Sequence, residues 1–184
     1  MASPATTTGV LAVLLLVALA AGGARAALFY ITNQCEETVW PGIFFPKGLT
    51  GCGGTRLDPG QRVRFDMAPG TTGGRIWART GCSFAGTGGR CATGDCAGAM
   101  CCAVYGKPAT LAEFTIDGGD INHRADFYDI SVVDGFNVPM DFRCIGGEPI
   151  RCRDPKCPGA SHPNAPKVHT CRPNSDYEIV FCPQ

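Results

Sequence analysis

The sequence predicts an all-β fold, a two-sheet antiparallel β-sandwich stapled by disulfides, on three observations. Twelve cysteines lie in a chain of 184 residues. Short segments of β-branched and aromatic residues recur, and 25 glycines and 14 prolines supply turns between them. No stretch carries an apolar stripe over three helical turns, an internal repeat or a heptad. Many short strands bounded by turn residues are the pattern of a sandwich.

The chain opens on Val10 to Ala21, almost wholly Leu, Val and Ala. That run is shorter than the roughly 20 residues a membrane span needs and matches the apolar core of a secretory signal. Ala24-Arg25-Ala26 supplies the small residues a signal peptidase reads. Residues 1–26 are therefore expected to be a signal peptide and residues 27–184 a single domain with no stable membrane anchor. Strand character follows at Leu28–Thr32, Thr38–Trp40, Gln61–Asp66, Arg75–Thr80, Leu111–Ile116, Phe127–Val132 and Tyr177–Phe181. Residues 61–66 alternate cleanly, so Val63 and Phe65 face inward while Arg62, Arg64 and Asp66 face water. Asp58-Pro59-Gly60 and Ala68-Pro69-Gly70 bracket this strand with turn chemistry. Two stretches lack strand character, Thr87–Pro108 and Cys144–Cys171, each with four cysteines among Gly or Pro. They bury little apolar surface, and cross-links are expected to hold their shape.

The totals exclude several classes. Sixteen basic and sixteen acidic residues cancel, whereas a nucleic-acid binder carries a basic excess to displace phosphate counterions. An even cysteine count in an exported chain implies disulfides. Zinc is the rival use for Cys96, Cys101, Cys102, Cys152 and Cys157. Paired C-x2-C knuckles are missing, however, and His123, His162 and His169 do not fall at finger spacing. No metal or other cofactor is expected. Neither a nucleophile elbow nor a P-loop occurs. Thr93-Gly94-Asp95 reads as a turn in which Asp95 holds loop amides, and Trp40 and Trp77 read as core residues. Carboxylates gather at Glu113, Asp117, Asp120, Asp126, Asp129 and Asp134.

Several segments together resemble thaumatin-like proteins, the group-five pathogenesis-related family of plants. They are Ala27-Leu-Phe-Tyr-Ile-Thr-Asn-Gln-Cys35, Gly74-Arg-Ile-Trp-Ala-Arg-Thr-Gly-Cys82, Cys91-Ala-Thr-Gly-Asp-Cys96, Pro108-Ala-Thr-Leu-Ala-Glu-Phe114, Asp134-Gly-Phe-Asn-Val-Pro-Met140 and Tyr177-Glu-Ile-Val-Phe-Cys-Pro183. They run in order from residue 27 to 183. Where long members carry a helical, disulfide-rich second domain, this chain has only Cys152-Arg-Asp-Pro-Lys-Cys157, so it is similar to the short class of cereals.

The resemblance implies pairings Cys35–Cys182, Cys82–Cys91, Cys96–Cys102, Cys144–Cys171 and Cys152–Cys157. Cys52 and Cys101 are left over. A sixth bridge, Cys52–Cys101, is expected, with exchanged roles for Cys101 and Cys102, or two free thiols, as the alternatives. Arg75, Glu113, Asp129 and Asp134 match members of the family's acidic cleft, which is associated with β-1,3-glucan binding and, in some members, weak glucanase activity. The remaining acid of that cleft falls at Gly159 here. Loss of that acid and of the opposite wall argues against catalysis, so the resemblance implies a secreted, apoplastic, monomeric and antifungal defence protein that binds fungal wall polysaccharide or membrane components. The alternatives are an inhibitor of microbial glycosidases such as xylanase, using the apolar segment from Ile43 to Leu49, and a weak β-1,3-glucanase. Each matched residue also has a structural role open to it: Arg75 pairing an acid, Glu113 and Asp129 binding loop backbone, Asp134 capping a turn.

Overall fold

A computed structural model describes residues 26–46, 54–103, 106–116, 125–173 and 175–184. The predicted signal peptide, apart from Ala26, lies outside them, as do Cys52, Asp117, Asp120, His123 and residues 47–49 of the apolar segment. Twelve strands follow in chain order: β1 Ala27–Asn33, β2 Trp40–Phe44, β3 Arg62–Met67, β4 Gly74–Arg79, β5 Ser83–Ala85, β6 Gly88–Arg90, β7 Leu111–Thr115, β8 Asp126–Ser131, β9 Met140–Cys144, β10 Ile150–Cys152, β11 His169–Cys171 and β12 Tyr177–Phe181. No helix occurs among the described residues.

The strands form two five-stranded sheets, ordered β10-β9-β12-β1-β3 and β11-β8-β7-β4-β2, with β5-β6 as a separate ribbon. Alternation explains why the sheets stack. In β1, Ala27, Phe29 and Ile31 are buried while Leu28, Tyr30 and Thr32 are half-exposed. In β12, Tyr177, Ile179 and Phe181 are fully buried. The inward rings meet those of the other sheet: Phe29 lies 4.4 Å from Phe114, and Tyr128 lies 5.1 Å from Phe142 and 5.5 Å from Tyr177, centroid to centroid. Each such ring removes about 150–250 Å² from water. This aromatic layer is the sandwich core. In β3, an edge strand, Arg62, Arg64 and Asp66 are exposed and Val63 and Phe65 half-buried.

One pairing departs from the antiparallel pattern. β1 and β12 run parallel, with Phe29 opposite Tyr177 and Asn33 opposite Phe181. The Cys35–Cys182 disulfide fits this arrangement. Both cysteines lie just past the C-terminal ends of their strands, and only parallel neighbours bring those two ends together. Further disulfides join Cys82–Cys91, Cys96–Cys102, Cys144–Cys171 and Cys152–Cys157. Cys101 is also disulfide-bonded.

The two turns around β3 close as i to i+3 bonds, Gln61 N donating to Asp58 O at 3.0 Å and Thr71 N to Ala68 O at 3.2 Å. Gly60 and Gly70 hold φ of 80° and 78°, the left-handed position after proline that a type II turn requires. The stretches expected to lack strands contain three short ones, β6, β10 and β11. Their three-residue length and Gly- or Pro-rich surroundings leave no periodicity to see, and tertiary docking supplies the pairing. Ile43 and Phe45 belong to the core rather than to a projecting loop, while Phe44 between them is half-buried on the opposite face of the sheet against the Trp77 and Leu111 cluster. Ile43 is buried in β2, and Phe45 packs on the sandwich interior.

The loop between Cys91 and Cys102 is built around two side chains. Asp95 accepts from Cys91 N and Gly98 N, both at 2.9 Å, so the expected amide-holding role is present. Arg79 is fully buried and donates from Nε to Trp40 O at 3.0 Å and from Nη1 to Ala99 O at 2.9 Å. Burial pulls its pKa down, against the opposing charge of Asp95. Trp77 is fully buried too, its Nε1 donating to Gly94 O at 2.8 Å, while Trp40 is half-buried against Phe84.

Candidate functional site

Register on the second sheet sets out the site. Phe44 stands opposite Arg75, Arg75 opposite Glu113, and Glu113 opposite Asp129, giving one row across β2, β4, β7 and β8. Their chain neighbours Ile76, Ala112, Phe114, Tyr128 and Ile130 fill the core. Because side chains alternate along a strand, the row faces outward.

Arg75 Nε donates to Glu113 Oε1 at 2.6 Å, and both side chains are half-buried. Asp129 Oδ2 accepts from Ser161 Oγ at 2.7 Å. Ser161 comes from the loop between β10 and β11, which lies alongside β8: Ser161 N donates to Ile130 O at 2.7 Å and Val132 N to Ser161 O at 3.0 Å. The Cys152–Cys157 disulfide closes the start of that loop. Burial pushes the Asp129 carboxyl up to about 6; the Ser161 hydrogen bond pulls it down, the Glu113 charge raises it and the Arg75 charge lowers it. Two carboxyl groups on adjacent strands therefore sit in unlike environments, one paired with a cation and one disposed to hold its proton.

The structure brings Arg75, Glu113 and Asp129 together. Asp134 sits apart, in the turn after β8, and is ion-paired with Lys107. Asn137 fixes that turn, accepting from Thr110 N and donating to Ala78 O and to Thr93 Oγ1, each at 2.9 Å. Gly159 lies against β10: a Cβ there would come within 3.3 Å of Arg151 O and Ile150 Cγ2.

Three contributors escaped the sequence reading. Ser161 is a single hydroxyl far from Asp129 in sequence, and no spacing signals their contact. Phe127 is 38% exposed on the same face of β8 as Asp129. Val168, also exposed, continues the β11 register to the position opposite Asp129. The alternation in β8 does put Phe127 and Asp129 on one face, so that signal was present in the sequence.

A thaumatin family model matches residues 33–168. The chain belongs to the thaumatin family. Among its relatives in this family, a thaumatin-like protein of Oryza sativa subsp. japonica is 54% identical, with the whole of both chains covered. Thaumatin-like pathogenesis-related protein 4 of Avena sativa is 52% identical over 92% of this chain and 95% of that one. Among solved structures, the thaumatin-like xylanase inhibitor TLXI superposes with a TM-score of 0.70 at 36% identity, covering 84% of this chain and 99% of the inhibitor.

Proposed function

We propose that this chain is a secreted plant defence protein that binds a β-1,3-glucan of the fungal wall, without catalysis, on the outer face of its second sheet. The observation that carries this is the cross-strand row Arg75–Glu113–Asp129 with Phe127 on the same face. Sugar recognition needs fixed hydrogen-bonding groups for hydroxyls and an apolar surface for the C–H face of the ring. The row offers the first, held on strands by Arg75 and Ser161; Phe127 and Val168 offer the second. Residues 1–26 act as the removed signal peptide, and residues 27–184 work as a monomeric domain in the apoplast, where oxidising conditions maintain the disulfides. The pathogenesis-related names of close cereal relatives support the defence role.

The chemistry favours binding over hydrolysis. Retaining glycosidases use two carboxyls about 5–5.5 Å apart, one of them a free nucleophile. Glu113 is engaged by Arg75 at 2.6 Å, which stabilises the anion and blunts its attack. Gly159 stands where the resemblance puts a further acid, and among the described residues no second domain stands against the row. Pull-down on insoluble β-1,3-glucan tests the reading. The wild type is retained, and Arg75→Ala/Asp129→Asn lowers retention about tenfold, as expected for loss of two polar contacts. Equal retention removes the row from the function, and reducing sugar released from laminarin refutes the non-catalytic mode.

The structural likeness to a thaumatin-like xylanase inhibitor favours a second reading, inhibition of a microbial glycosidase. Disulfide-anchored loops suit it because little ordering entropy is lost on docking. Titrating a fungal xylanase with the oxidised protein separates the two: a stoichiometric fall in rate supports inhibition, and an unchanged rate at micromolar protein dismisses it.

A further inference from the structure

The outer face of the first sheet, opposite the glucan row, is an arginine surface. Two cross-strand rows build it. Arg64, Tyr30, Glu178 and Arg143 are aligned across β3, β1, β12 and β9. Arg62, Thr32, Val180, Asp141 and Arg151 are aligned across all five strands. With strands about 4.8 Å apart, the second row is about 19 Å long. Arg153, just past β10, joins it by pairing with Asp141 at 2.6 Å. The face thus carries five guanidiniums against the carboxylates of Asp66, Asp141 and Glu178, in a chain whose charges cancel overall.

The depth of the charges decides what a partner meets. Glu178 lies between Arg62 and Arg143, at 3.4 and 2.5 Å, and its side chain is 19% exposed while those of the arginines are 49% and 44%. Asp141 is also 19% exposed, against 39% for Arg153. Glu178 and Asp141 are recessed and their guanidiniums stand proud, whereas Asp66, on the edge strand, is as exposed as its partner Arg64. Arg62 is additionally braced over the Tyr30 ring at 4.5 Å. Exposed ion pairs add little to stability, so folding alone does not account for the array. Holding long arginine side chains in place does lower the entropy lost when they bind an anion.

We propose that this face binds a linear acidic polysaccharide carrying carboxylates on successive sugars. Guanidinium forks match carboxylates in bidentate geometry, and the rows are straight, flat and repeated at the strand spacing. A membrane surface is the poorer partner. Of the apolar side chains turned this way, Leu28 and Val180 are half-buried among polar neighbours and Ile145 lies just past the end of β9, so none projects from the arginine rows to enter a bilayer. The surface is distinct from the glucan row and does not depend on it.

The test uses the full oxidised protein on immobilised polygalacturonate at low salt, with the methyl-esterified polymer as the neutral control. Wild type is retained by the acidic polymer alone and released as salt screens the charges. Arg143→Gln/Arg151→Gln weakens binding about tenfold or more. Arg90→Gln/Lys107→Gln, an equal charge change on the β5-β6 ribbon and beside Asp134, away from the face, leaves binding unchanged. Matching thermal midpoints show that all variants are folded. Equal binding by the two double variants, retention on the esterified polymer, or stronger binding to phosphatidylserine vesicles than to polygalacturonate each overturns the proposal.

Discussion

Replacing Asp129 by Asn probes the electrostatics of the row directly. The carboxyl is pushed from its ordinary 3.8 up to about 6, with burial as the leading cause. Between these values the folded chain binds a proton that the unfolded chain has released. The contribution of this group is therefore fully present below about pH 4 and is lost as pH rises through about 6. About two pKa units correspond to about 3 kcal/mol, an upper figure for a group that keeps some solvent contact. Asparagine is neutral at every pH and keeps an acceptor for Ser161. Asp129→Asn is therefore expected to be more stable than wild type by up to about 3 kcal/mol at about pH 7.5, with the advantage gone near pH 4. Urea denaturation of the oxidised proteins at several pH values measures it, and an NMR titration of the Asp129 carboxyl locates the transition. Ser161→Ala should move that titration upward and Glu113→Gln downward. A stability difference independent of pH, or a variant weaker than wild type near neutrality, would refute the reasoning. Glucan retention should also change across this range, because the protonated acid donates a hydrogen bond that the carboxylate can only accept.

Two further outcomes follow from the loops and their cross-links. Arg79→Ala strands the carbonyls of Trp40 and Ala99 in a buried site, and should cost about 3 kcal/mol in urea denaturation; a loss below about 0.5 kcal/mol would show that water replaces the guanidinium at no penalty. Cys35→Ser/Cys182→Ser opens a loop spanning a separation of 147 residues, and should lower unfolding free energy by about 4–5 kcal/mol in the chain-entropy model; a melting temperature unchanged in this variant, or after complete reduction of wild type, contradicts disulfide control of stability.

The sequence by itself determined the class of the molecule. Period-two alternation in β3 is a local property, as are the β-branched and aromatic composition of the other strand segments and the turn chemistry of Asp58-Pro59-Gly60, so all can be read without neighbours. The even set of cysteines and the apolar leader pointed to a cross-linked exported domain, and the ordered segments from residue 27 to 183 pointed to the family. Only the tertiary structure decided which of the gathered acids meet. Strand register aligned Arg75, Glu113 and Asp129, whereas a turn fixed by Asn137 left Asp134 with Lys107. Burial raised Asp129 toward its proton, and Ser161 reached it from a loop whose position depends on backbone bonds to β8. The parallel run of β1 beside β12, the interior place of Arg79 and the recession of Glu178 beneath its arginines are likewise relations between distant segments. Such relations are set by how two sheets dock and how deep each side chain then lies, and no periodicity along one strand encodes either.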